Sequence, residues 1–121
     1  MSKQVLIVSC ESSRRNTLSA VARYCGLQPT LCATVDSVID LLARKRFAAV
    51  LCEDTLPDGS FRDVIADAAS LADGTPVIVV SRRDNLESHA IALDAGASDY
   101  LAFPPYRSEV EQALQRVGNL S

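Results

Sequence analysis

The stretch that decides the fold is Val50–Gly59, which reads VLCEDTLPDG. A short apolar run ends in two acidic residues, Glu53 and Asp54, and the Pro-Asp-Gly sequence of a turn follows. Apolar runs without polar alternation are typical of parallel strands that helices cover on both faces. The sequence here therefore predicts a buried strand whose carboxyl end presents acidic side chains to a loop.

Similar runs occur on both sides of this stretch. Val5–Val8 and Val77–Val80 are nearly continuous apolar runs, and Thr30–Cys32 and Ser98–Leu101 are weaker strand candidates. Together with the central strand at Ala48–Cys52, they give five predicted strands. Segments with apolar residues at i, i+3, i+4 and i+7 separate these strands, which indicates amphipathic helices.

This periodicity predicts five helices, around Leu18–Cys25, Val35–Leu42, Phe61–Ala68, Leu86–Ala95 and Val110–Val117. Thr34 precedes the second helix and is expected to cap it, because a threonine hydroxyl accepts hydrogen bonds from the free N–H groups of a first turn. The fourth helix has a less regular pattern, and we expect Leu86, Ala90 and Leu93 to face inward.

Strands and helices in this alternation predict a flavodoxin-like α/β fold of three layers, with a five-stranded parallel sheet of order 2-1-3-4-5 and five helices. Residues 1–121 are predicted to form a single domain. In such folds, sites lie at the carboxyl ends of the first and third strands. Here those ends carry Ser9, Cys10 and Glu11 on one strand and Glu53 and Asp54 on the other, with Ser81 ending the fourth strand.

Composition excludes several classes of function. The chain has 121 residues, of which 48% are hydrophobic and 22% charged, with a net charge of −3, which argues against a general nucleic-acid-binding surface. The short basic runs at 44–46 and 82–83 are interpreted as solvated faces. No segment reaches membrane length, so a cytoplasmic location is expected. The four cysteines lack metal-ligand spacing, so zinc is not expected.

Three motifs give a resemblance to a known family: Leu56–Gly59 (LPDG), Pro76–Ser81 (PVIVVS) and Ala95–Leu101 (AGASDYL). On these motifs the chain resembles the receiver domains of bacterial response regulators, the phosphoacceptor modules of two-component (phosphorelay) signal transduction. The resemblance extends from Val5 to Val117. It also implies a cis peptide bond between Phe103 and Pro104.

The same resemblance shows which chemical positions have changed. Receivers carry a pair of acids after the first strand, and these positions read Ser9 and Cys10, with Glu11 one residue later. The acceptor aspartate position is Glu53. The hydroxyl residue is retained as Ser81, whereas the lysine that precedes Pro104 is replaced by Phe103. Magnesium binding and phosphorylation are therefore not expected.

These departures favour a pseudo-receiver that acts as a phosphorylation-independent protein-interaction module, without enzymatic activity or cofactor. In one interpretation Glu53 is simply solvated. In a second, Glu53 imitates the phosphorylated aspartate, accepts a hydrogen bond from Ser81 and stabilises Tyr100 in an inward position. Phe103 is expected to fill the space that the lysine has vacated.

Two other functions remain open from the sequence. The chain could still be phosphorylated, on Glu53 or on its neighbour Asp54, although adjacent strand residues face opposite ways and Asp54 is expected to aim away from the pocket. Alternatively, Cys10 and Cys52 could form a thiol-based redox sensor. The two side chains are expected to face differently, Cys10 toward the pocket and Cys52 into the core.

The resemblance also implies an interaction face, residues 86–117. Its expected partner is a kinase, an output domain or a second copy of the chain, and neither nucleic acid nor membrane is expected to bind. The apolar part of the face is predicted to comprise Tyr100, Phe103, Pro105 and Tyr106. His89, the lone histidine, is expected to be exposed.

Overall fold

The computed structural model describes residues 3–117, which fold as alternating strands and helices. The strands are β1 (Lys3–Val8), β2 (Leu27–Cys32), β3 (Ala49–Glu53), β4 (Thr55–Leu56), β5 (Gly59–Ser60), β6 (Val77–Ser81) and β7 (Asp99–Ala102). The helices are α1 (Ser12–Tyr24), α2 (Val35–Arg44), α3 (Phe61–Leu71), α4 (Leu86–Asp94) and α5 (Arg107–Arg116). Within these residues no helix is long and apolar enough to cross a membrane.

The main sheet has five parallel strands in the order β2-β1-β3-β6-β7. This is the predicted order, with β6 and β7 as the fourth and fifth strands of the sheet. The short antiparallel pair β4–β5 was not predicted, because two residues on each strand are too few to show a hydrophobic period. The pair follows β3 directly, so it fixes the path of the chain out of the sheet.

Each face of the sheet buries its own apolar cluster. The side chains of Leu6, Val8 and Val50 lie on the face covered by α2, α3 and α4. Val5, Ile7 and Leu51 lie on the opposite face, under α1 and α5. This alternation explains why the central strands are apolar throughout, since neither face contacts solvent.

The turn residue Asp58 connects the β4–β5 loop to α2. Its carboxylate accepts hydrogen bonds from the backbone N–H groups of Val35, at 2.8 Å, and Asp36, at 3.1 Å. Thr34 caps the same helix, as predicted, and accepts from the N–H of Ser37. Two parts of the chain that are distant in sequence thus satisfy the first turn of α2.

The buried side of α4 differs from the prediction. Leu86 is 87% exposed, Ala90 is exposed and Leu93 is 41% exposed, whereas Ala92 is buried. Apolar residues lie on several sides of this helix, so its periodicity does not identify one inward face. The consequence is an outer surface on α4 that carries exposed leucine side chains.

Candidate functional site

The carboxyl ends of β1, β3 and β6 meet at one edge of the sheet. The register pairs Val8 with Cys52 and Glu53 with Val80, so the residues that follow each strand lie side by side. The predicted site residues at these ends are therefore neighbours in space. A cleft of about 170 Å³ opens there, lined by Cys10, Arg14, Glu53, Asp54, Thr55, Ser81, Arg82 and Arg83.

Glu53 is the central acid of this edge, and it is buried. Its side chain is 9% exposed, so the interpretation of a simply solvated carboxylate is wrong. The hydroxyl of Ser9, itself fully buried, donates a hydrogen bond to Oε1 of Glu53. Oε2 lies 3.1 Å from Nε of Arg14, in an ion pair. Both carboxylate oxygens are therefore engaged by groups of the chain itself.

Arg14 comes from the first turn of α1, and the sequence reasoning did not identify it. Its side chain is 12% exposed and lies between two acids, with Nη1 2.9 Å from Oε2 of Glu11. Burial alone would lower the pKa of Arg14, but Glu53 and Glu11 outweigh burial and raise the pKa above its ordinary value. The guanidinium is a permanent cation in the cleft.

Glu11 lies on the outer side of Arg14. It is exposed, and the hydroxyl of Ser13 and the guanidinium of Arg14 bind its carboxylate. The Ser13 hydrogen bond and then the Arg14 charge lower the pKa of Glu11. Glu11 thus holds the outer side of Arg14 and directs the Nε group of that arginine inward, toward Glu53.

Ser81 does not make the hydrogen bond proposed for it. Its hydroxyl accepts from the backbone N–H of Arg83 at 3.0 Å, and the hydroxyl that binds Glu53 belongs to Ser9. The carboxylate of Glu53 is instead engaged from the side of β1 and α1, by Ser9 and Arg14. Ser81 still lines the cleft and is 2% exposed.

Tyr100 is turned inward, as the mimicry interpretation requires. It is 7% exposed and its hydroxyl donates to the backbone carbonyl of Arg83. The ring of His89 stacks on it, with the two centroids 5.3 Å apart. His89 is therefore half-buried rather than exposed. The inward position of Tyr100 therefore does not require a hydrogen bond between Ser81 and Glu53, because the Ser81 hydroxyl accepts from the N–H of Arg83 instead.

Asp54 lies inside the cleft, contrary to expectation. β3 ends at Glu53, so the alternation of a strand no longer determines where Asp54 points. It lines the cleft beside Ser81 and also a smaller pocket beside Tyr100. It is half-buried, whereas Glu53 is buried.

The two cysteines occupy different environments. Cys10 is exposed and lines the cleft, with its sulfur 3.8 Å from Nη2 of Arg14. Cys52 is buried in the core under α2 and α3. Burial raises the pKa of the Cys52 thiol well above its ordinary value. The two cysteines face different ways, as predicted.

The aromatic residues after β7 are only partly on the surface. Phe103 is half-buried, packs on the cluster under α1 and α5, and does not line the cleft. The Phe103–Pro104 bond is cis. Pro105 and Tyr100 are buried, which corrects their assignment to an exposed face, whereas Tyr106 is 77% exposed.

The residues of the cleft do not fit a magnesium ion of the kind that receivers bind. Magnesium requires oxygen ligands in octahedral geometry. Here Ser9 and Cys10 occupy the positions of the acid pair, and the carboxylate of Glu53 is committed to Ser9 and the Arg14 guanidinium. Among residues 3–117, no group of three or more His, Cys, Asp or Glu side chains is arranged to hold a metal.

The comparisons of sequence identify relatives among response regulators. The probable transcriptional regulatory protein TcrX of Mycobacterium tuberculosis is 32% identical over 111 residues, which cover 92% of this chain and 47% of that protein. The response regulator MprA of Mycobacterium sp. (strain KMS) is 29% identical over 104 residues, covering 86% of this chain and 45% of the relative. The chain thus spans about half the length of these curated relatives. No family model matches it.

The comparisons of structure agree. The receiver domain of a sensor histidine kinase from Pseudomonas aeruginosa PAO1, solved with magnesium in its active-site cleft, superposes with a TM-score of 0.83. It is 25% identical and the match covers 96% of this chain and 97% of that one. A CheY-like receiver domain from Methanospirillum hungatei JF-1, 21% identical, has a TM-score of 0.80, with 98% of each chain covered. From its sequence relatives and its fold, this chain belongs to the response-regulator receiver family.

Proposed function

We propose that this receiver domain is a phosphorylation-independent protein-interaction module, a binding domain rather than an enzyme. The observation that carries the proposal is the internal network of Ser9, Glu53 and Arg14. Acyl-phosphate formation requires a free carboxylate nucleophile and a metal that bridges it to the phosphoryl group. In this cleft a guanidinium pairs with the carboxylate, and a hydroxyl donates to its other oxygen.

Glu53 supports the same proposal through its length. A glutamate side chain is one methylene longer than aspartate, and a displacement of about 1 Å costs roughly a hundredfold in rate at a reacting centre. No lysine follows β7 to stabilise developing charge, since that position is Phe103, a half-buried side chain that packs against the cluster under α1 and α5. These losses are independent of one another, and each opposes phosphorylation.

The interaction face of the proposal is the outer surface of α4, β7 and α5. The side chains of Leu86, Leu93 and Tyr106 are 87%, 41% and 77% exposed. Large apolar and aromatic side chains on a surface are favoured at protein interfaces. The proposed partner is a kinase, an output domain or a second copy of the chain.

Acetyl phosphate tests the proposal directly. The domain is incubated with acetyl phosphate and millimolar magnesium, beside a receiver that has an intact acid pocket, and the intact masses are compared. We expect the intact receiver to gain one phosphoryl group and this domain to keep its mass. A stable gain of one phosphoryl group on this domain would overturn the proposal.

A second candidate function is phosphorylation on Asp54, which its position in the cleft favours. The same mass measurement on Asp54→Asn and Glu53→Gln variants distinguishes the two acids. A phosphoryl gain that is lost only in Asp54→Asn would assign the acceptor to Asp54. Unchanged mass in the wild type and both variants would leave the interaction module as the function.

A further inference from the structure

Two adjoining clefts lie at the edge of the sheet opposite to the site already described. They form between the loop after α2 and the loop after α3, where β3 and β6 begin. They measure about 340 and 480 Å³ and share Arg46, Phe47, Ala72, Asp73 and Thr75 in their walls. We name this continuous depression the amino-edge groove. Nothing in the proposed phosphorylation-independent function uses it.

The groove concentrates positive charge on an acidic protein. The groove is lined by Lys3, Arg44, Lys45 and Arg46, and among the described residues Asp73 is the only acid in its walls. All four basic residues are exposed, although the net charge of the whole chain is −3. The groove is therefore a local reversal of the charge of the molecule.

Most of this charge is not neutralised within the protein. Arg44 pairs with Asp40, an exposed pair on α2 of the kind that contributes little stability. The amino group of Lys45 lies 3.3 Å from the hydroxyl of Thr30 and 5.7 Å from the centre of the Phe47 ring. Within residues 3–117, neither Lys3, Lys45 nor Arg46 has an ion-pair partner.

The walls also provide apolar surface between the charges. Leu71 is 44% exposed and lies beside Ala43 and Ala72 in one of the two clefts. Pro76 contributes to the other. A ligand that fits this groove must place negative charges toward its basic rim and an aliphatic side chain against Leu71.

From this arrangement we infer that the amino-edge groove binds an acidic, leucine-containing peptide segment of a partner protein. Carboxylates of the segment pair with Lys3, Lys45 and Arg46, and an aliphatic side chain contacts Leu71. The charges guide association and make it sensitive to salt, and reversing one of them adds repulsion to the bound state.

Nucleic acid fits the groove less well than a peptide does. Single strands bind by stacking bases on exposed aromatic rings, and the one aromatic ring here, Phe47, is only 8% exposed. A net charge of −3 also repels a polyanion that extends beyond the groove. A short acidic segment avoids this repulsion because it ends within the basic area.

Fluorescence anisotropy with a defined probe tests the inference. The probe is a short fluorescein-labelled peptide of alternating glutamate and leucine, beside a matched peptide with glutamine in place of every glutamate. We expect saturable binding of the acidic peptide only, weakened as salt screens the exposed charges. Arg46→Glu is expected to weaken binding about tenfold or more.

Arg23→Glu is the matched control, because it changes the net charge equally on an exposed arginine of α1, across the sheet from α2 and α3. It is expected to change affinity by less than about twofold, and circular dichroism verifies that both variants are folded. No saturable binding by the wild type, or equal losses in both variants, would overturn the inference. Tighter binding of an oligonucleotide of equal charge would overturn it too and assign the groove to nucleic acid.

Discussion

One arginine changes the chemistry at the carboxyl edge of the sheet. Arg14 places a permanent cation against Glu53, the residue at the phosphoacceptor position. The charge of Glu53 is thereby compensated from within the chain, and Ser9 donates a hydrogen bond to its other carboxylate oxygen. At the scale of single residues, the site is an ion pair between Arg14 and the buried carboxylate of Glu53, to which the Ser9 hydroxyl donates a hydrogen bond.

Removing Arg14 is expected to destabilise the domain. In Arg14→Ala the buried carboxylate of Glu53 loses its cation, and we expect the free energy of unfolding to fall by about 2–3 kcal/mol. Urea denaturation measures the change. Arg23→Ala, on an exposed arginine of the same helix, is the control and is expected to change stability by less than about 0.5 kcal/mol.

The double variant Arg14→Ala, Glu53→Gln distinguishes charge compensation from simple packing. A neutral amide needs no cation, so the double variant is expected to recover most of the lost stability. If it is no more stable than Arg14→Ala alone, Arg14 acts through its hydrocarbon stem, and the ion pair is not what stabilises the site.

The cysteines are expected to react in a fixed order. Cys10 is exposed and should be alkylated first, whereas burial raises the pKa of Cys32 to about 11 and raises that of Cys52 well above its ordinary value. A raised pKa leaves less thiolate, so alkylation of Cys32 should accelerate as pH rises toward 11. Peptide mass mapping after alkylation measures each site. A Cys10–Cys52 disulfide after peroxide treatment would revive the redox-sensor function.

At the scale of elements, the β4–β5 turn stabilises α2 through Asp58. The backbone N–H groups of Val35 and Asp36 lower the pKa of Asp58 below its ordinary value. A lowered folded-state pKa gives stability that is present above the unfolded pKa of about 3.9 and is lost as pH falls through the folded value.

Asp58→Ala is therefore expected to lower Tm at neutral pH. The difference in Tm from the wild type should shrink as the pH falls below about 4 and through the lowered pKa of the folded state, below which Asp58 is protonated in both states. Thermal melts followed by circular dichroism between neutral and acid pH measure it. Asp84→Ala, on the exposed aspartate that precedes α4, is the control. An equal effect of the control would contradict the capping role.

A side chain at position 59 is expected to destabilise the domain. A Cβ atom at this position would collide with Oδ2 of Asp63 and lie 3.0 Å from Cγ2 of Val35. Asp63 is held by the N–H of Ser60 at 2.9 Å, in the capping box of α3, so it cannot move without losing that bond.

Gly59→Ala should therefore reduce the free energy of unfolding by about 1–3 kcal/mol. The same substitution in an Asp63→Ala background should cost less, because the colliding carboxylate is gone. Chemical denaturation of the four proteins gives this coupling. Additive losses would indicate that Val35, rather than Asp63, limits the space.

At the scale of the whole molecule, the inward position of Tyr100 is expected to be independent of phosphoryl donors. Its hydroxyl is bound to Arg83 and its ring to His89, and neither contact involves Glu53. Hydrogen exchange of residues 83–106 should therefore be the same with and without acetyl phosphate and magnesium. A donor-dependent change in protection there would contradict the proposed function.

The sequence predicts the architecture well because the architecture depends on long apolar runs. The strands around Ile7, Leu51 and Ile78 are buried on both faces, and burial of this kind leaves a pattern that is readable without a structure. The side chains of α4 were predicted poorly, since that helix presents leucines on several sides. Its one buried residue, Ala92, is too small to stand out in a pattern.

The chemistry of the site was predicted only in part. Strand order places Ser9 beside Glu53, but the choice between the Ser9 and Ser81 hydroxyls depends on side-chain geometry that no spacing shows. Arg14 lies in the first turn of α1, whose polar sequence is typical of a solvent-exposed surface. Its role becomes visible only when the rotation of α1 against the sheet is known.

The buried Glu53 carboxylate also bears on how long a signal could last. An acyl phosphate hydrolyses, so the phosphorylated state of a receiver lasts only until its phosphoryl group is lost. Under the proposed function, the carboxylate held by Ser9 and Arg14 has no covalent mark to gain or lose. The duration of its signal would then depend on how much of the domain is present, and so on its synthesis and degradation, rather than on the lifetime of a phosphoryl group.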